Sequence, residues 1–329
     1  MSRSKILFGV IMGSFLAQMV FAQPATLLDS HYQLTTLAQY SDSTLGRVGG
    51  MTADSSGNIF VNYVGSGKIL KIGPAGNVSN FGSVTSSAPA HMVWGTGTEY
   101  GEFLYVSDTF ADKVYKFDVN GNRSLFTEVN HPDGIGLDRT GNYGGQLYIG
   151  TNIDTHIDSV SPAGTRTLFS NFTYNESTLT AAMAFDPGTR FGGQMFATGH
   201  STAAPASAGV FSVDANGIAT RFCSNLALAS KVEFDQSGKF GDDLFALGMF
   251  TPGQPYFSIY RIGPNGVAAD FFHNFGGSFT FSGEHMFIAS FNGSTSTTTI
   301  YQVNAIPEPA TILVLAAGAL GLKRRLGKE

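Results

Sequence analysis

The sequence predicts an all-β protein: a six-bladed β-propeller of four-stranded blades, its last blade completed by a strand from the N-terminal end. Two observations carry this. A strand-and-turn pattern recurs along the chain at the spacing of propeller blades. The composition also pairs few charged residues (13%) with 41 glycines and 28 phenylalanines. Aromatic, alternating strands joined by glycine-rich turns suit sheets, whereas a helical bundle draws on Glu, Lys, Ala and Leu.

The clearest copy of the pattern spans residues 131–172. It runs His131-Pro-Asp-Gly-Ile-Gly-Leu-Asp138, a glycine-rich turn, Gln146-Leu-Tyr-Ile-Gly150, His156-Ile-Asp-Ser-Val-Ser-Pro-Ala-Gly164 and Arg166-Thr-Leu-Phe-Ser-Asn-Phe172. These read as four strands separated by turn residues. The third strand and its turn recur as Lys68-Ile-Leu-Lys-Ile-Gly-Pro-Ala-Gly76, Lys113-Val-Tyr-Lys-Phe-Asp-Val-Asn-Gly121, Gly209-Val-Phe-Ser-Val-Asp-Ala-Asn-Gly217 and Ser258-Ile-Tyr-Arg-Ile-Gly-Pro-Asn-Gly266. Apolar residues alternate with polar ones, and Ala-Gly or Asn-Gly supplies the positive φ of a hairpin turn.

Blades begin near Gly49, Ala90, Asp133, Ala181 and Ser230, and a sixth at Ser278. The sixth ends at Thr299-Ile-Tyr-Gln-Val303 without an outer strand, while Gln33-Leu-Thr-Thr-Leu-Ala-Gln-Tyr40 resembles the outer strand of the others. Residues 33–40 are therefore expected to pair with 299–303 and close the ring, which removes an unpaired edge. A body of residues 23–306 gives about 47 residues per blade, within the usual range.

Blades 3, 4 and 5 carry an elaborated first hairpin: Asp138-Arg-Thr-Gly-Asn-Tyr-Gly-Gly-Gln146, Asp186-Pro-Gly-Thr-Arg-Phe-Gly-Gly-Gln194 and Asp235-Gln-Ser-Gly-Lys-Phe-Gly-Asp-Asp243. Blade 2 keeps Tyr100-Gly101 but has Gly95 in place of the aspartate. An Asp that caps its own turn, with an aromatic packed on the next blade, accounts for this pattern. A calcium loop is the alternative, because Asp and freed carbonyls are hard oxygen donors.

The ends speak of export. Arg3 and Lys5 precede an apolar stretch over residues 6–21, and Val20-Phe21-Ala22 offers a cleavage site. Residues 1–22 thus read as a secretory signal peptide. At the other end, Pro307-Glu308-Pro309 precedes an apolar run over residues 310–322 and the basic cluster Lys323-Arg324-Arg325. As a helix, 13 residues would measure about 20 Å, short of a bilayer core of about 30 Å. The basic cluster would stay cytoplasmic, leaving the body outside.

Motif, order and position in residues 307–329 resemble the PEP-CTERM sorting signal. That resemblance implies a Gram-negative bacterium and recognition by an exosortase-type membrane protease. It also implies removal of the tail near residues 307–309 and delivery of the body across the inner membrane to the cell surface or extracellular matrix. The short hydrophobic C-terminal helix would anchor a precursor only transiently, as a GPI signal does.

Without residues 1–22 and 307–329 the chain holds 13 basic against 22 acidic side chains. Such a surface repels phosphate backbones, so nucleic acid is not an expected partner. The lone cysteine, Cys223, cannot form an intrachain disulfide and reads as a buried, inert strand residue. The GxSxG, HExxH, Walker and GxGxxG patterns do not occur. The single tryptophan, Trp94, argues against a quinone-docking repeat.

Candidate residues converge on the central channel. His91, Asp133 and Lys231 lie near the starts of inner strands, and Asp108, Asn152 and His200 just after second strands. The segment His131–Asp138 resembles the repeat of NHL-type and regucalcin/gluconolactonase-type propellers. The resemblance implies a divalent metal, calcium among them, held for lactone hydrolysis, with Asp133, Asn152 and Asp108 as the matching set. At the start of blade 1, where a channel glutamate belongs, the sequence has Gly49-Gly50-Met51.

Two functions follow. One is a non-catalytic surface or matrix propeller without a cofactor that binds exopolysaccharide or another exported protein. The other is a metal-dependent, lactonase-like hydrolase acting from the channel.

Overall fold

A computed structural model of the chain describes residues 25–152, 155–171, 179–200, 209–226, 228–249 and 257–306. The expected signal peptide, the C-terminal helix and the Pro307 to Arg325 motif lie outside these residues. Two strands come first, β1 (Thr26–Leu27) and β2 (Tyr32–Ser41). Blade 1 holds β3 (Gly46–Ala53), β4 (Ile59–Gly65), β5 (Lys68–Ile72) and β6 (Val78–Ser83). Blade 2 holds β7 (Pro89–Trp94), β8 (Leu104–Asp108), β9 (Lys113–Phe117) and β10 (Arg123–Glu128).

Blade 3 is β11 (Pro132–Leu137), β12 (Leu147–Thr151), β13 (His156–Val160) and β14 (Arg166–Asn171). Blade 4 is β15 (Leu179–Phe185), β16 (Met195–His200), β17 (Gly209–Val213) and β18 (Ala219–Cys223). Blade 5 is β19 (Leu228–Phe234), β20 (Leu244–Met249), β21 (Phe257–Ile262) and β22 (Ala268–Phe275). Blade 6 combines β23 (Gly277–Ser282), β24 (His285–Asn292) and β25 (Thr297–Ala305) with β2.

The closure follows the sequence expectation. β2 pairs antiparallel with β25 from Tyr32↔Ala305 to Ser41↔Thr297. The joint continues into blade 1, where the Tyr40 and Tyr63 hydroxyls bond each other and Tyr63 donates to Thr298 Oγ1 at 3.2 Å. Unforeseen is β1, which pairs with β22 and gives blade 5 a fifth, outermost strand.

Every outer strand carries a one-residue bulge at the same place, and its extra residue is Phe81, Phe126, Phe169, Phe222, Phe271 or Leu37. A bulge turns that side chain inward against the rest of its blade. There it meets the aromatic near the start of the second strand, as Phe126 meets Tyr105 at 4.7 Å and Phe222 meets Phe196 at 4.9 Å. The elaborated hairpins add a third ring: Tyr100, Tyr143, Phe191 or Phe240. Phe110 is the one aromatic among the exposed large hydrophobics of the described residues.

The bulge also shapes the backbone. A Cβ on Gly121 would overlap the Phe81 carbonyl oxygen, and Gly76, Gly164, Gly217 and Gly266 press on Leu37, Phe126, Phe169 and Phe222 in the same way. These are the turn glycines read from the repeat, and each has a positive φ. Only glycine meets both demands.

The hairpin aspartates cap their own turns. Asp138 Oδ1 accepts from Thr140 N, Thr140 Oγ1 and Gly141 N, and Oδ2 from Tyr143 N and Gly145 N, all within 3.1 Å. Asp186 and Asp235 do likewise for their loops. With both oxygens so occupied, these residues are turn anchors. Tyr143 then reaches blade 4, donating to Val213 O at 2.6 Å and accepting from Met195 N at 2.8 Å. Tyr100 spans the same two positions of blade 3, Val160 O and Leu147 N.

Candidate functional site in the central channel

Five inner strands are kinked by a register shift near their starts, between Val48 and Met51, Pro89 and Met92, Pro132 and Ile135, Thr180 and Met183, and Ala229 and Lys231. Such a kink frees a backbone N–H that a buried second-strand side chain takes up. Asn62 Oδ1 accepts from Gly50 N at 2.7 Å, Ser107 Oγ from His91 N at 3.0 Å and Thr198 Oγ1 from Ala182 N at 2.9 Å. The kinks re-aim the residues within them, His91 and Asp133 included.

The channel widens into a cavity of about 410 Å³, within the range of small-ligand sites. It opens at the ends of the inner strands, between the first hairpins of the blades, where Arg139, Thr140, Pro187, Gln236 and Gly283 form its rim. The sequence candidates belong to the other end, where inner strands begin and second strands finish. Of those, His91 and Lys231 line the cavity.

His91 is held from behind. Its Nδ1 lies 3.3 Å from the Asp133 carbonyl oxygen and 3.7 Å from Asp133 Oδ1. A carbonyl can only accept, so Nδ1 is the donor in this contact, and the ring lines the cavity. Lys231 is a brace across three blades. Its Nζ donates to Met51 O of blade 1 at 2.7 Å and to Phe279 O of blade 6, and lies 3.1 Å from Glu233 Oε2. Glu233 Oε1 in turn accepts from Thr280 Oγ1 at 2.9 Å and Phe281 N at 3.0 Å.

Glu233 and Arg139 were missed by sequence reasoning, since neither lies near an inner-strand start. Arg139 donates to the Trp94 and Thr96 carbonyls of blade 2, and burial pulls its guanidinium pKa down from the ordinary value. The signal that could have found it is its place directly after the hairpin aspartate.

The other candidates have separate places. Asp108 is fully buried and accepts from Thr85 N, Thr85 Oγ1 and Ser86 N, each at 3.0 Å, and from Ser86 Oγ. It ties the connection between blades 1 and 2. Asn152 is 2% exposed; its N–H donates to His131 O at 3.0 Å and its Oδ1 has no partner. His200 ends β16, and its side chain lies outside the described residues.

The oxygen donors do not complete a calcium cage. Asp133 lies on β11 and Asn152 just past the end of β12, while Asp108 is occupied by its own loop. At the start of blade 1 a Cβ on Gly50 would collide with the Ala90 carbonyl, so no side chain fits there. Among the described residues no three His, Cys, Asp or Glu side chains gather as metal ligands.

The sequence matches no protein-family model and no curated protein. Solved structures do match. A gluconolactonase from Xanthomonas campestris superposes with a TM-score of 0.63 at 11% identity, covering 86% of this chain and 95% of that one. The neighbours share the fold. A catalytically inactive histidine-to-alanine variant of virginiamycin B lyase from Staphylococcus aureus, with quinupristin, gives 0.59 at 11% identity over 84% of this chain and all of that one. A chain of a nidogen/laminin complex gives 0.53 at 15% identity over 69% of this chain and 80% of that one. The gluconolactonase and the lyase are propellers of the NHL and regucalcin-like kind, and at such identity all three speak for architecture alone.

Proposed function

We propose that the chain is an exported, non-catalytic propeller that binds exopolysaccharide through its channel, at the cell surface or in the extracellular matrix. The observation that carries this is the division of labour in the channel. Lys231 and Glu233 are engaged by the protein itself, while the His91 ring faces a cavity that Met51, Met92, Met183 and Ile135 also line. A sugar presents hydroxyls at its edges and C–H groups on its faces, which suits a lining of mixed polar and apolar side chains. Rim groups Arg139, Thr140, Gln236 and Ser282 add polar contacts.

Export rests on the signal-like residues 1–22 and the sorting motif over 307–329, with an exosortase-type protease as the processing partner. Among the described residues no helix is long and apolar enough to cross a membrane. The test is equilibrium titration of the purified protein with the producing strain's matrix polysaccharide. Saturable binding that weakens at least tenfold in His91→Ala supports the reading. Binding unchanged by that substitution, or no binding, ends it.

The second reading is a lactonase-like hydrolase. It draws on the unpartnered, buried Asn152 Oδ1 at the end of the strand next to that of Asp133, and on the gluconolactonase neighbour. It expects lactone turnover that requires a divalent ion such as calcium and is lost in Asp133→Ala. Turnover indifferent to chelator and to that substitution would dismiss it.

A further inference from the structure

We infer that the face bearing the channel mouth is the face turned toward the membrane while the C-terminal tail is attached, so that anchoring shields the cavity. This rests on the reading of residues 307–329 as a membrane anchor; the orientation itself comes from the register of blade 6. Ser282, the end of the inner strand, pairs with His285, His285 with Asn304, and Asn304 with Gln33. These four residues form one row across the blade, at the edge where Gly283 rims the cavity. The chain therefore leaves the ring at Ile306 on the mouth side, two strands out from the channel wall. At strand spacings near 4.8 Å, that is about 10 Å from the lining strand.

The tether is short. Residues 307–309 separate Ile306 from the apolar run 310–322 and cover at most about 11 Å even when fully extended. A ring held that closely, at a point so near its axis, presents its mouth to the bilayer.

The surface of that face agrees. The third-to-fourth strand turns lie on the same side, as the row Leu137, Leu147, Val160 and Arg166 shows in blade 3. Those turns expose Val78, Val119, Ile218 and Val267, and the exit point exposes Ile306. Among the described residues, these five exposed large hydrophobics stand on the tail side. Asp118 and Asp214 anchor the same turns. Their charge opposes close approach to anionic lipid, so the tail rather than the surface holds the face down, and loss of the tail releases it.

Cys223 is fully buried, which leaves a silent background for engineered thiols. The experiment compares Gln236→Cys at the mouth with Ser87→Cys in the exposed connection on the opposite face, each in the full chain in spheroplast membranes. A bulky, impermeant maleimide is expected to label Gln236→Cys at least tenfold more slowly than Ser87→Cys. A 30-residue Gly/Ser insertion after Ile306 is expected to bring the two rates within about twofold. Equal rates without the insertion, in a chain that floats with the membranes, overturn the orientation. A chain that does not float with them overturns the anchor reading, and the inference with it.

Discussion

The Leu28 N–H donates to the Phe271 carbonyl at 3.0 Å, at the one place where the ring lacks its usual neighbour. Elsewhere the carbonyl of the bulged residue rests against a turn glycine of the following blade. Blade 6 has no such turn, because its outer strand arrives from the other end of the chain. The segment leading into β2 supplies a donor instead, and β1 covers the edge of blade 5 on the way.

Leu28→Pro removes this donor and leaves a buried carbonyl unpaired. The expected loss is about 1–3 kcal/mol, read as a lower urea midpoint with an unchanged m-value.

Gly121 and Gly97 both hold positive φ, yet only Gly121 abuts a carbonyl; Gly97 faces open space. Gly97→Ala is expected to cost about 1 kcal/mol from backbone strain alone. Gly121→Ala adds an overlap with Phe81 that must push two blades apart, for a total of about 3 kcal/mol. Equal losses by denaturant titration would show that blade contact at this turn is slack.

Lys231→Met keeps the length of the side chain but strands Glu233 and the Met51 and Phe279 carbonyls. Breaking a buried pair from one side costs about 3 kcal/mol, discounted here because Glu233 is partly exposed. A thermal midpoint several degrees lower is expected, with the elution volume of a folded ring.

Burial pushes the Tyr63 and Tyr105 phenols up to about 12. The folded state holds these protons more tightly than the unfolded chain, whose tyrosines ionise near pH 10. Their contribution is complete below pH 10 and is lost as pH rises toward 12. Alkaline titration should therefore show a delayed rise of tyrosinate absorbance, coincident with loss of sheet signal. A smooth titration at pH 10 in a folded protein would contradict the packing of these rings.

Much of the architecture was legible because its causes are local. Turn glycines, alternating strands and the spare strand 33–40 each announce themselves in a few residues. The hairpin aspartates were readable for the same reason, since each bonds the loop that follows it. The cavity was not. Its rim joins Arg139, Gln236 and Gly283 from three blades, and its depth depends on kinks that no residue pattern marks. Asp108 shows the converse: a carboxylate in a promising position is taken up by Thr85 and Ser86, which precede it by more than twenty residues and reach it only through the fold. β1 was invisible because two residues carry no periodicity.

The closing pair β2 and β25 also fixes an order of events. The strand β2, made near the beginning, has its partner among the last residues of the ring to be made. Until then Tyr32 to Ser41 can have no native partner, so no shorter nascent chain holds a shut ring. On the proposed export reading, a chain that threads through a pore before it folds gains from such a delay, because its final lock stays open until nearly all of it has passed.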